Sequence, residues 1–346
     1  MKILILKEKL DQLGSYNYFE YKDNTFNKIC DYFKTKANGI HSVFCFDADY
    51  FIIDNKTTKY NYKKNLSDNI CNYINKNTKL THNINNININ NYDIIWCRDD
   101  IIDVIKLKNL YPDKLFIYEN VEHAFANFNY DYDLILDHTD FSFRAIQKLN
   151  TKISFPYPIN KDILRKNIDC IKSKTIYFDS RDIIQYAKIA NTSIDNINSQ
   201  ISNFMKQYNI SVNIVNKRPE KHLSPLLDND SNITNTLTYF NRIGQSKYFV
   251  LTFPRLGQSL VEAAALNCIV IGTKKSINSP FICHKECLFN DFASLEQIKN
   301  NVLYLESKPE LQKEILEYQD KMLTKYYYEH QKNVLQKALE LKKKCF

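Results

Sequence analysis

An α/β protein built of two doubly wound domains facing one cleft is the fold the sequence predicts, and three observations carry it. Strand-like and helix-like runs alternate from end to end of the 346 residues, which argues for parallel sheets with crossover helices on their faces. Near the middle, Phe155-Pro156-Tyr157-Pro158-Ile159-Asn160 interrupts the alternation; two prolines one residue apart resist both a helix and a sheet interior. The pattern then restarts, and a hydrophobic fraction of 44% is enough for two cores of ordinary size.

The elements follow in order. Residues 2–6 form an apolar first strand, and Gly14-Ser15 follows it. A helical stretch is expected near 25–35, a second strand over His41 to Phe46, and a helix over 66–76. The Asn/Ile-rich stretch 80–92 carries no clear period. Tyr92 to Arg98 reads as a strand, with Asp99-Asp100 opening a helix. Leu115 to Tyr118 and Leu134 to Leu136 are strands, and Ser142 to Leu149 a helix. After the proline linker come a strand over Thr175 to Phe178 and a helix over Ile194 to Tyr208. A strand over Val212 to Val215, a helix over 234–244 and a strand over Tyr248 to Leu251 follow. Residues 294–305 and 308–340 close the chain as helices. The domains read as 1–157 and 158–325, with a C-terminal helix over 326–346 whose candidate packing partner is the first domain. In open sheets of this kind ligands sit beyond the carboxyl ends of the strands.

Composition narrows the function. No uninterrupted apolar stretch approaches the length of about 18 residues that a transmembrane helix needs, and the charged start Met1-Lys2 does not read as a secretory signal. Nine scattered cysteines without paired spacing favour reduced thiols in a cytoplasmic compartment. Cys283 and Cys287, with His284 between them, are the closest approach to a metal motif, but a structural zinc site needs four ligands and no second pair exists. The net charge of +8 is spread along the chain. Its densest run, Lys342-Lys343-Lys344, reads as a solvated helix end, with peripheral membrane attachment as the alternative. Richness in Asn, Ile, Lys and Tyr is the footprint of an AT-rich genome, that of a large virus or a low-GC microbe.

Two of the five glycines fall in FPRLGQSLVEAAALNCIVIG, residues 253–272. It reads as strand end, polar turn, helix and buried strand. A helix beginning near Gln258 offers free N–H groups and a positive end to an anion. Gly257 lets a ligand approach the backbone, and Arg255 can fork onto phosphate oxygens. Ser259 lies in the first turn. Glu262, one turn beyond Gln258 on the same face, can accept hydrogen bonds from a ribose diol. Ala263, Ala264 and Ala265 keep the helix slim against the sheet. The same residues also fit a helix packed on a sheet with a solvated Glu262 and a surface Arg255.

The segment GQSLVEAAALNCIVIG resembles the donor site of GT-B glycosyltransferases, and its spacing is similar to the Glu-x7-Glu pattern of retaining members related to family GT4. Glu262 matches the second Glu; Pro254 stands at the first. The resemblance implies a GT-B fold of two Rossmann-like domains. It also implies a nucleotide-diphosphate sugar as donor, no cofactor, no metal, and Glu262 on the nucleotide ribose. FPYPINKDIL resembles the interdomain linker of these enzymes. TIYFDSR resembles the strand opening their C-terminal domain, which makes Arg181, and then Lys188, candidates for the phosphates. Gly14 and Ser15 take the place of a cleft loop.

The acceptor and any base fall to the N-terminal domain. YENVEHAF places Glu119, Glu122 and His123 after a strand. His123 reads as a base or a sugar ligand, its ordinary pKa lying near neutrality, or else as part of an acid-rich surface turn. Asp99 reads as a base or as a helix cap. The function implied is sugar transfer to a hydroxyl of a glycan or glycoconjugate. The alternatives are glycosylation of a DNA base by the same fold and a non-catalytic nucleotide- or glycan-binding module. No concentrated basic strip with interleaved aromatics supports the DNA reading.

Overall fold

The structure is a computed structural model that describes residues 1–7, 49–53, 78–81, 84–97, 102–120, 131–137, 145–156, 159, 161–215, 236–253, 257–326 and 328–345. The chain divides into two compact units, residues 1–160 with 325–346 and residues 161–324.

The first unit is built on seven parallel strands. They are β1 (Ile3–Lys7), β2 (Asp49–Ile53), β3 (Thr78–Thr81), β4 (Ile94–Cys97), β5 (Leu115–Asn120), β6 (Leu134–Asp137) and β7 (Thr151–Ser154). Their order is β3-β2-β1-β4-β5-β6-β7, with every pairing parallel. β1 and β4 are apolar at every position of ILIL and IIWC because both sheet faces are covered. Alternation sorts them: Ile3, Ile5, Ile94 and Trp96 join one core, and Leu4, Leu6, Ile95 and Cys97 the other. Val104 of α1 (Val104–Leu110) packs into the second core.

The first core is completed from the far end of the chain. Leu335, Ala338 and Leu339 of α10 (Tyr328–Lys343) belong to it. One helical turn on, Lys342 is 5% exposed and reaches Asp133 with its Nζ at 3.0 and 3.1 Å from the two carboxylate oxygens. Asp133 also takes Lys108 at 2.9 Å and the backbone N–H of Phe116 at 2.8 Å. The expected solvated end of this helix is thus corrected at Lys342, while Lys343 and Lys344 remain exposed. Gln331 donates to the carbonyl of Pro156, and Ile159 N donates to Tyr326 O at 2.6 Å.

The second unit has five parallel strands: β8 (Ser173–Asp179), β9 (Ser211–Val215), β10 (Ser246–Leu251), β11 (Ile269–Thr273) and β12 (Leu288–Phe289), in the order β12-β11-β10-β8-β9. Its helices are α2 (Lys161–Asn167), α3 (Ser180–Ile189), α4 (Ile194–Tyr208), α5 (Thr236–Gln245), α6 (Gln258–Ala265), α7 (Ser279–Ile282), α8 (Leu295–Glu306) and α9 (Pro309–Leu323). Local chemistry sets their ends. Ser193 caps α4, whose chain leaves through left-handed Asn209 at φ 49°. Ser294 and Gln297 form a reciprocal capping box on α8. Gln319 of α9, 1% exposed, accepts from Val270 N at 3.1 Å and donates to Cys268 O at 2.7 Å, which pins α9 to the start of β11.

Several expectations need correction. Residues 145–150 are irregular rather than the end of a helix over 142–149. α1 starts at Val104 with Asp103 as its cap, accepting from Lys106 N at 3.0 Å, so Asp99 and Asp100 do not open it. The helix expected over 308–340 breaks after Leu323, where a 3-10 turn over Thr324–Tyr326 carries the chain back to the first unit. β2, β3, β7 and β12 and the helices α2, α3 and α7 were not expected. The elements expected near 25–35, 41–46 and 66–76 lie outside the described residues.

Removing one partner of a buried ion pair strands the other. Asp133→Ala is therefore expected to cost about 3–5 kcal/mol of stability, whereas Lys343→Met, at an exposed position, stays within about 0.5 kcal/mol. Urea unfolding of the two variants checks the contrast.

Candidate functional site

In the second sheet the chain leaves β8 towards β9 on one side and β10 on the other. The crevice beyond the carboxyl ends of β8 and β10 is therefore the topological switch point, where open α/β sheets bind ligands. α3 follows β8 without an intervening residue, and α6 follows β10 after a short turn. Tyr186 of α3 and Thr252 at the end of β10 share a hydrogen bond of 2.9 Å, which joins the two sides of that edge.

The turn into α6 is shaped by one glycine. Gly257 is the N-cap at φ 76°, and no side-chain cap is present among the described residues. A Cβ there would meet ordinary contacts, with Asn278 Cβ at 3.5 Å, so the demand for glycine is conformational rather than spatial. The first backbone bond of the turn runs from Leu260 N to Gly257 O at 3.0 Å. The N–H groups of Gln258 and Ser259 precede it and have no intrahelical acceptor. Ser259 is half-buried. Glu262 is 4% exposed, which corrects the reading of a solvated carboxylate.

The rest of α6 is held from outside its own sequence. Leu260, Val261, Ala263, Ala264 and Ala265 are buried. Arg165 donates from Nε to Ala265 O at 2.8 Å, and Lys172 from Nζ to Leu266 O at 2.6 Å. Two cations thus meet the last carbonyls and the negative end of the helix. Arg165 and Lys161 also hold Asp320 of α9, at 2.8 and 2.7 Å. Burial alone would raise the pKa of Asp320, but its bonds to Arg165 and Lys161 outweigh that and hold it below the ordinary value of 3.8.

The segment after β11 braces the turn. Ser276 is fully buried and donates to Phe253 O at 2.7 Å, and Asn278, 1% exposed, lies against Gly257. Lys274 and Lys275 stand exposed on the same carboxyl edge. At Gly272 a Cβ would come within 2.5 Å of Ser279 Oγ, so glycine lets α7 lie directly on β11. The polar run TKKSINSP after a buried strand was the signal for these residues.

The other expected residues scatter. Arg181 is the second residue of α3, at the switch-point edge, and Lys188 is exposed in the last turn of the same helix, away from its start. Glu119, near the carboxyl end of β5, is 1% exposed and accepts from Trp96 Nε1 at 2.8 Å, a partner inside the core of the first unit. Gly14, Ser15, Asp99, Glu122, His123, Pro254 and Arg255 lie outside the described residues. Cys283 and Cys287 are buried thiols, and burial pushes Cys287 up to about 12. His284 beside them faces Glu314 and Tyr318.

No protein-family model and no curated protein matches the sequence. Solved structures match in fold. The crystal structure of Anabaena HepE in complex with UDP is similar at a TM-score of 0.54 and 9% identity, covering 97% of this chain and 99% of that one. A glycosyltransferase from Rickettsia africae is similar at 0.52 and 12% identity, covering 99% and 98%. An α,α-trehalose 6-phosphate synthase from Burkholderia multivorans is similar at 0.51 and 10% identity, covering 98% of each. The chain has the GT-B fold. At such identities the likeness is one of fold, and it runs through both units of the chain. Among the described residues no helix is long and apolar enough to cross a membrane.

Two outcomes follow. Gly257→Ala forces a left-handed cap on a residue with a Cβ and is expected to cost about 1–2 kcal/mol, read as a lowered midpoint in urea. A carboxylate whose pKa is lowered on folding contributes stability above its unfolded value and loses it as pH falls through the folded one. Stability should therefore drop on acidification below the ordinary 3.8 of Asp320. Asp320→Asn should be less stable at pH 7 and flatter through that window; parallel slopes in the two proteins would refute the assignment.

Proposed function

We propose that the protein is a glycosyltransferase that moves a sugar from a nucleotide-diphosphate sugar to a hydroxyl of a glycan or glycoconjugate. One observation carries the reading: at the switch point, a glycine-opened helix start stands one turn from the buried carboxylate of Glu262. Two N–H donors and the positive end of α6 suit a diphosphate, and Glu262 suits the paired hydroxyls of a ribose. The fold supports the reading, since the similar structures include a complex with UDP and a glycosyltransferase.

In the reaction proposed, an acceptor oxygen forms a bond to the anomeric carbon of the donor sugar. The bond from that carbon to the diphosphate oxygen breaks, and its electron pair leaves with the nucleotide. The acceptor proton passes to a base, for which His123 is the candidate, with Glu122 and Asp99 behind it. Glu119, already bonded to Trp96, suits a positioning role. Positive charge beside the leaving diphosphate lowers the barrier by stabilising the negative charge that develops on it. Arg255, Arg181 and the start of α6 are assigned to this work, with Lys274 and Lys275 on the same edge and Lys188 last. These cations do the work for which other enzymes use a divalent metal. Pro254 stands where the resemblance puts an acidic residue near the donor sugar.

Ligands that bind only the folded protein raise its apparent stability. UDP-, GDP-, dTDP- and CMP-linked sugars are expected to differ, with one nucleotide family giving a selective thermal shift. Glu262→Ala should keep the fold and weaken that nucleotide by about tenfold or more, in line with loss of charge-assisted hydrogen bonds of about 1.5–3 kcal/mol. Unchanged affinity in the variant would sink the ribose assignment. Binding without turnover of any donor would mark a non-catalytic nucleotide-binding module instead.

A further inference from the structure

A second concave surface of the same unit lies between α4 and α8. It is an open groove of about 210 Å³. Gln200, Asn203 and Gln207 line it from α4 at i, i+3 and i+7, and Glu296, Asn300 and Leu303 line it from α8 at i, i+4 and i+7, so two single-face helical stripes meet across it. The adjoining faces of both helices are spent in the core, through Ile197, Ile201, Ile298 and Val302.

The chemistry of the groove is specific. None of its four amides bonds to another described residue. Three other amides of this unit are engaged: Gln319 pins β11, Asn301 donates to Glu286 O, and Gln312 donates to Leu305 O. A primary amide donates and accepts at once, as a sugar hydroxyl does. Phe204 and Tyr208 lie at 5.2 Å from each other along the α4 side, Phe204 buried and Tyr208 36% exposed. An exposed aromatic face beside free amides is suited to the apolar C–H face of a pyranose ring. The charges present cancel, because Lys299 pairs with Glu296 at 2.7 Å. The groove therefore offers no net charge to a phosphate, a nucleotide or an acidic chain. Its volume is below the range of about 300–1,000 Å³ typical of drug-sized pockets, and its open ends suit a chain lying along it one ring at a time.

We propose that this groove binds a neutral oligosaccharide. It lies apart from the donor turn, since Tyr208 stands three residues before the amino end of β9, whereas α6 starts beyond the carboxyl end of β10. The groove holds a sugar chain as a docking surface and takes no part in bond making.

Saturation-transfer NMR on the full chain tests this with glucose, mannose, galactose and N-acetylglucosamine oligomers, and with a sulfated oligosaccharide as the charged control. At least one neutral oligomer is expected to bind saturably. Tyr208→Ala, and separately Asn203→Ala with Asn300→Ala, should weaken it by about tenfold; these positions are exposed, and an unchanged melting midpoint shows that the variants fold. Glu262→Ala should leave it intact, and loss of the response in that variant would place the sugar at the donor turn and overturn the proposal. So would no response to any neutral oligomer, a response to the sulfated chain alone, or equal binding in the Tyr208 variant. Oligosaccharide binding without any nucleotide binding would overturn the proposed function and leave this site standing.

Discussion

A helix carries unpaired N–H groups at one end and unpaired carbonyls at the other, and α6 treats its two ends in opposite ways. Its C-terminal carbonyls are met by Arg165 and Lys172, two cations from earlier in the chain. Its N-terminus is opened by a left-handed glycine and left without a side-chain cap among the described residues. The macrodipole is thus met inside the protein at its negative end, while its positive end has no side-chain cap among the described residues. The rest of the second unit serves that asymmetry. Ala263, Ala264 and Ala265 let α6 sit within the packed layers, Gln319 fixes α9 beside it, and Ser276 and Asn278 brace the turn.

The sheet decides where that helix end points. Parallel strands direct every following helix to start at the carboxyl edge, and the order β12-β11-β10-β8-β9 places the starts of α3 and α6 on either side of the switch point. Glu262 is then buried one turn inside the helix, where hydrogen bonds to its carboxylate face little competition from water. The first unit repeats the doubly wound plan with seven strands and draws its last core layer from α10. The C-terminal helix thereby belongs to the body that the N-terminus begins.

What the sequence discloses follows from how local each signal is. β1, β4, β10 and β11 were legible because strands buried on both faces are apolar throughout. β7 was not, because in Thr151-Lys152-Ile153-Ser154 only Ile153 is buried, as an edge strand allows. The turn itself was legible because Gly257, Gln258 and Glu262 lie within six residues of one another. Its supports were not: Arg165 reaches α6 across 100 residues, Lys172 across 94 and Ser276 reaches Phe253 across 23. Lys342 was misread within a run of three lysines. The spacing of Leu335, Ala338, Leu339 and Lys342 puts it on the buried face, and that period was present to be counted.

The central claim is that the start of α6 receives a nucleotide diphosphate, with Glu262 on its ribose. A crystal structure of the protein with the nucleoside diphosphate it binds tests this most directly. The account predicts phosphate oxygens within hydrogen-bond distance of the N–H groups of Gln258 and Ser259, and ribose hydroxyls on the Glu262 carboxylate. A nucleotide bound elsewhere, or one whose ribose turns away from Glu262, would contradict it.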